Sequence, residues 1–90
     1  MSARSLGYQQ ITSLAAATAL TVPAGTGFAI ITAGSQAVRW RDDGTDPTAT
    51  VGYPLAAGSE LQYSASSLSR LKFIEQTASA TLDISYYGMD

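Results

Sequence analysis

Residues 80–87, with the sequence ATLDISYY, carry the pattern that decides the fold of this chain. Every second side chain is apolar, namely Leu82, Ile84 and Tyr86, and the intervening positions are mostly polar. In a β-strand, successive side chains point to opposite faces, so this period of two predicts a strand with one face in a core.

The same alternation appears in two earlier segments, residues 36–41 and 69–76. In the first, Val38 and Trp40 share one face while Arg39 and Arg41 share the other. In the second, Leu71 and Phe73 point inward, and Arg70 and Lys72 point outward. The predicted core therefore consists of Val38, Trp40, Leu71, Phe73, Leu82 and Ile84.

Further strands are predicted at residues 9–13, 18–22, 27–33 and 60–64. Within GFAIITA at 27–33, residues 28–31 are apolar without interruption, which is typical of a central strand covered on both faces. Residues 9–13 are expected at a sheet edge, and residues 14–19 could instead form a helical turn. The segment from residue 42 to residue 59 is rich in turn residues and is predicted to be mostly loop.

Short strands at this spacing, separated by glycine and proline, predict an all-β fold. We expect a small antiparallel β-sandwich or jelly-roll-like barrel of about seven to eight short strands. Ninety residues suffice for one domain, residues 1–90, in which residues 1–8 are expected to form a flexible or docking N-terminal arm.

Charge is scarce and unevenly distributed along the chain. Only 13% of the residues are charged, and residues 5–38 contain no charged side chain. Polar residues interrupt this stretch too often for a membrane span. A secretory signal, with Arg4 before an apolar segment at residues 14–20, is the alternative, but we favour an uncharged pair of strands. We expect this region to be covered in the working state by sister subunits or by a larger surface.

The residue types that are missing narrow the possible functions. The chain has no histidine and no cysteine, which removes the commonest general base, the thiolate nucleophile and the soft metal ligands. Five cationic residues against seven acidic ones give no basic patch for a nucleic acid. We therefore predict a non-enzymatic protein without catalytic residues, cofactor or metal, which binds neither nucleic acid nor a membrane.

Two acidic constellations allow other interpretations. The cluster Asp42, Asp43 and Asp46 could bind a hard cation, but its spacing does not match an EF-hand loop, so a solvated turn is preferred. A glycosidase needs two carboxylates facing each other across a cleft. Glu60, Glu75 and Asp83 could in principle converge, but a domain of this size offers little concave space for them.

Four residues are candidates for contact with a partner: Arg39, Arg41, Tyr53 and Tyr87. The two arginines lie on the face opposite Val38 and Trp40 and lead directly into two aspartates. Their contribution to binding is therefore expected to be secondary and sensitive to salt. The two tyrosines are the aromatic side chains expected to remain exposed.

The middle of the chain resembles a known group of proteins. The segment AVRWRDDGTDPTATVGYPLAAGSELQY at residues 37–63, with VPAG at 22–25 and LDISYYG at 82–88, resembles small proteins encoded among bacteriophage structural genes. The resemblance covers residues 21–88. It implies a compact β-sandwich of jelly-roll type that serves as a virion accessory subunit, and it carries no catalytic residues.

A head decoration, or cement, protein is the favoured member of this group. The resemblance then implies a subunit, often a homotrimer, that stabilises the head by binding the major capsid protein or another virion protein at capsomer junctions. It would be made in the host cytoplasm and would reside in the virion, on the capsid surface. The alternatives are a receptor- or glycan-binding module of a tail or fibre, and a neck or tail-completion subunit.

Overall fold

The computed structural model describes residues 3–64 and 66–89. This part of the chain contains eight strands, and a 3-10 helix, Ser66–Arg70, lies between the sixth and seventh. The strands are β1 (Ala3–Ile11), β2 (Thr18–Ala19), β3 (Phe28–Ala33), β4 (Val38–Arg41), β5 (Tyr53–Leu55), β6 (Glu60–Tyr63), β7 (Lys72–Glu75) and β8 (Leu82–Met89). The predicted all-β class and number of strands are confirmed.

The strands form two antiparallel four-stranded sheets. The first sheet has the order β1-β8-β3-β6 and the second the order β2-β7-β4-β5. The pairs are nested: β1 pairs with β8, β2 with β7, β3 with β6 and β4 with β5. This is the connectivity of a jelly roll, in which one long hairpin of strands is wound into a two-sheet sandwich.

The core lies between the two sheets and takes residues from both. Phe73 on β7 and the alternating Leu82, Ile84 and Tyr86 on β8 are buried, as the period of two predicts. Five of the six predicted core residues are fully buried. The sixth, Trp40, is half-buried and packs against this core.

The N-terminal segment is part of the first sheet. Residues 3–8, predicted as part of a flexible or docking arm, belong to β1 and are paired with β8, and are therefore not a flexible extension. The pairing shifts between Ser5 and Gly7, so Leu6 is an extra residue in a β-bulge and packs against the core. This bulge breaks the period of two, which is why the alternation is not visible in the sequence. Met1 and Ser2 lie outside the described residues.

Two other predictions are corrected in detail. β3 is an internal strand, as expected, but only one of its faces is fully buried, that of Ala29, Ile31 and Ala33. Residues 14–19 form no helical turn; they end in β2, which pairs with β7. Within the described residues, no helix is long and apolar enough to cross a membrane.

Candidate functional site

An open depression of about 380 Å³ lies beside the connection from β4 to β5. Its lining consists of Arg41, Asp42, Asp43, Val51, Gly52 and Tyr53. Two of these side chains are apolar and strongly exposed, Val51 at 50% and Tyr53 at 61%. Exposed apolar side chains gathered in a concave surface are typical of a binding site.

The aromatic part of the depression is fixed from below by Trp40. Trp40 and Tyr53 are opposite each other in the β4–β5 pairing, and their ring centroids are 4.9 Å apart. The edge of Tyr63, from the first sheet, meets the Trp40 ring at a centroid distance of 6.1 Å and an interplanar angle of 82°. Because Trp40 is held between both sheets, it gives Tyr53 a rigid support.

One wall of the depression is formed by a turn that both sheets hold in place. The Tyr63 hydroxyl donates a hydrogen bond of 2.5 Å to Asp42 Oδ2 and lies 2.8 Å from Ser67 Oγ. Burial and the Asp42 carboxylate both raise the pKa of Tyr63. Asp42, which directly follows β4, is thereby connected to β6 of the opposite sheet.

The charged part of the depression is an ion pair between Arg41 and Asp43. Arg41 Nε lies 3.1 Å from Asp43 Oδ1, and Arg41 Nη2 lies 2.5 Å from Asp43 Oδ2. The guanidinium lowers the pKa of the Asp43 carboxyl, which also accepts a hydrogen bond from the Thr45 N–H. The same contact raises the pKa of Arg41. Arg41 and Asp43, which are two positions apart in the sequence, therefore neutralise each other locally.

Arg39 lies beside the loop that carries Val51 and binds its backbone. Its Nε donates to the Ala49 carbonyl at 3.1 Å, and its Nη1 donates to the Gly52 carbonyl at 2.9 Å. Gly52 approaches β4 so closely that a Cβ atom there would lie 3.0 Å from the Trp40 carbonyl oxygen. Its φ of +134° is also unfavourable for other residues. Arg39 thus positions the loop, and Gly52 allows the close approach.

All three aspartates of the predicted acidic cluster have protein partners. Asp42 binds Tyr63, Asp43 binds Arg41, and Asp46 forms an ion pair of 2.7 Å with Lys72. Within residues 3–64 and 66–89, no group of three or more potential metal ligands is present. The cluster is a turn whose side chains fix its conformation.

The three carboxylates considered for glycoside hydrolysis are divided between the two sheets. Glu60 on β6 and Asp83 on β8 are both paired with Thr32 and therefore lie on one face of the first sheet. Glu75 belongs to β7 of the second sheet. The structure therefore does not bring these groups together across a cleft.

Tyr87, the fourth predicted contact residue, lies away from the depression. It is on β8, where it is half-buried and stacks on Phe28 with a centroid distance of 4.9 Å and an interplanar angle of 15°. The structure thus brings Arg41 and Tyr53 together, places Arg39 beside them, and leaves Tyr87 on the first sheet. Sequence reasoning missed Val51, for which the only signal is one branched apolar residue in a segment of turn residues.

Comparisons with protein-family models, with curated proteins and with solved structures found no match to this chain.

Proposed function

We propose that this protein is a non-enzymatic accessory subunit of a bacteriophage particle. In the favoured form it is a capsid decoration subunit that binds at capsomer junctions, self-associates and stabilises the head. The depression beside β5 is the docking site on the subunit. The resemblance of residues 37–63 to phage structural proteins supports this assignment at the level of the particle.

The observation that carries the proposal is the exposure of Tyr53 and Val51 beside the Arg41–Asp43 ion pair. Aromatic residues and arginine are enriched in protein interfaces, and a few buried aromatic anchors usually supply most of the binding energy. Tyr53 is exposed by 61% and rests on the fixed Trp40 ring, so little side-chain freedom is lost when a partner covers it. Tyr53 is therefore the expected anchor.

The fold is in keeping with this role. Jelly-roll sandwiches include viral capsid domains, although one fold serves many functions. The ion pair is expected to contribute less than Tyr53, because both its side chains are partly exposed to solvent and already satisfied by each other.

The test measures binding of the purified chain to virions of the phage that encodes it, after removal of their own copies. We expect Tyr53→Ala to weaken binding at least about 30-fold, as for a central interface anchor. Arg41→Ala should weaken binding by less than about fivefold. At high salt the affinities of this variant and of the wild-type chain should become more alike, because salt screens the charge of Arg41. The control is Gln62→Ala, because Gln62 is exposed on β6 of the first sheet and does not line the depression.

Each other outcome contradicts a defined part of the proposal. Full binding by the Tyr53→Ala variant would exclude the depression as the docking site. A chain that does not bind virions at all would overturn the assignment to the particle. Electron microscopy that places the subunit at the neck, or glycan-array binding that Tyr53→Ala abolishes, would replace the capsid role by one of the two alternatives.

A further inference from the structure

The four edge strands of the sandwich differ in how well they are protected against pairing with another strand. β2 has two residues, β5 has three and includes Pro54, and β6 has four and begins with the charged Glu60. Short length, proline and charge are common ways to block an edge. β1 has nine residues and no proline, and it has no charged side chain after Arg4. It is the most open edge in the described part of the chain.

The hydrogen bonds of β3 show which backbone groups of β1 face outward. Gly34 N–H donates to the Thr81 carbonyl, and Ala33 N–H donates to the Ser59 carbonyl in the opposite direction. In an antiparallel sheet, successive residues of an internal strand hydrogen-bond alternately to the strand on either side. Thr81 bonds toward β3, so Leu82, Ile84 and Tyr86 on β8 bond toward β1. Their partners in β1 are Ile11, Gln9 and Gly7.

It follows that Tyr8 and Gln10 direct their N–H and C=O groups away from the sheet. Both residues are exposed, Tyr8 by 64%. In the described part of the chain, no other backbone group bonds to them on that side. An antiparallel strand placed there would satisfy all four groups at once.

We propose that β1 pairs antiparallel with the β1 of a second copy of this chain across a two-fold axis. This extends the self-association in the proposed function and rests on it, but it does not depend on binding to a particle. The contact is isologous, so it forms pairs of subunits. The trimer implied by the resemblance would require a different surface.

The register of this pairing is determined by the groups that need partners. When Tyr8 lies opposite Gln10 of the second copy, Gln9 lies on the two-fold axis and four backbone hydrogen bonds form. Pairing shifted toward the N-terminus meets the bulge at Leu6, and pairing shifted the other way runs beyond the end of β1 at Ile11. Residues 5–13 carry no charge, so the strand does not repel its own copy.

The choice of a second copy as the occupant follows from this lack of charge and from the self-complementary spacing. A partner with a charged strand would gain nothing from an edge that offers no opposite charge. Joining two copies converts two four-stranded sheets into one continuous sheet of eight strands. It also covers part of the uncharged N-terminal region that the sequence predicts to be buried by sister subunits.

The first experiment is sedimentation of the purified chain from about 10 µM to 1 mM, the range of a weak complex. The wild-type chain should shift from a 9.4 kDa monomer to a dimer. Gln10→Pro removes one outward N–H from each copy and should lower the association constant at least about tenfold. The monomer should remain folded, because the lost N–H faces solvent. Gln10→Thr, which keeps the N–H, is the matched control.

The second experiment tests the register and does not depend on a proline. Tyr8→Lys combined with Gln10→Lys places like charges opposite each other across the axis and should abolish the dimer. Tyr8→Lys combined with Gln10→Glu places opposite charges there and should restore it, with less dimer at high salt.

The outcomes separate this inference from the proposed function. A wild-type chain that stays monomeric at 1 mM overturns the pairing, as does a dimer or trimer that both Gln10→Pro and the double-lysine variant leave intact. Equal dimerisation by the two double variants would contradict the register. Virion binding is measured separately, so a dimer that does not bind virions would refute the particle role and leave the pairing supported.

Discussion

Phe73 tests the core at the scale of a single residue. Its side chain is fully buried on β7, opposite Trp40 and Thr18. Phe73→Ala should lower the free energy of unfolding by about 3–5 kcal/mol, because the cavity left in so thin a core cannot be refilled by larger neighbours. Urea titration measures the change, with Val51→Ala as an exposed control expected within about 0.5 kcal/mol of wild type. A loss below about 1 kcal/mol for Phe73→Ala would contradict this view of the core.

Tyr86 predicts how stability depends on pH in alkaline solution. Burial raises the pKa of Tyr86 to about 12, and its hydroxyl donates a hydrogen bond to Gln9 Oε1. In the unfolded chain the hydroxyl ionises near pH 10, so the folded state retains the proton longer. Stability from this group is complete below pH 10 and falls as the pH rises toward 12.

The measurement is the urea midpoint of unfolding between pH 9 and pH 11.5. Tyr86→Phe removes the ionising group, so its midpoint should decline less steeply than that of the wild-type chain over this range. The raised pKa values of Tyr8 and Tyr63 leave some decline in the variant. Parallel curves for the two proteins would show that Tyr86 does not titrate as a buried group.

Among single residues, the sequence predicts the buried ones better than the binding ones. The burial of Val38 and Phe73 follows from alternation alone. The role of Arg39 does not, because its partners are the Ala49 and Gly52 carbonyls, and the loop that carries them comes later in the chain. Hydrogen bonds from a side chain to the backbone of another segment cannot be predicted from the alternation of apolar and polar residues.

At the scale of elements, the loop from β4 to β5 depends on Arg39. Arg39→Ala should speed amide hydrogen exchange in residues 49–52 and lower stability by about 1–2 kcal/mol, because two carbonyl contacts to a charged donor are lost. Arg39→Lys should rescue this only partly, since a single ammonium cannot reproduce the two-point contact of the guanidinium. Unchanged exchange in the alanine variant would mean that the loop is held by other contacts.

The strands differ in how clearly the sequence predicts them. β4 and β8 alternate regularly, and β4, β7 and β8 are all predicted within a few residues of their observed bounds. β5 is not predicted from the sequence, because it has only three residues and contains Pro54, which only an edge strand tolerates. The N-terminal half of β1 is not predicted either, because the bulge at Leu6 interrupts the alternation of its side chains. Of the depression, the sequence predicts Arg41 and Tyr53 but not the loop fold that joins them with Val51.

For the whole molecule, the nested strand order predicts slow folding. β1 and β8 come from opposite ends of the chain, and each of the other nested pairs except β4–β5 also encloses further strands. Non-local pairing of this kind is associated with folding in milliseconds to seconds. Stopped-flow refolding followed by Trp40 fluorescence measures the rate. Folding within microseconds would indicate that the β1–β8 pairing does not limit the rate of folding.

The nested order has a practical consequence for the two ends of the described chain, which it brings together. Ala3 lies directly opposite Met89 in the β1–β8 pair, so their Cα atoms are about 5 Å apart. A polypeptide attached before Ala3 and one attached after Met89 would therefore leave the molecule side by side. The domain can thus be inserted into a surface loop of a host protein with little separation of the loop's ends, or be circularly permuted through a short linker, as a genetically encoded module for surface display.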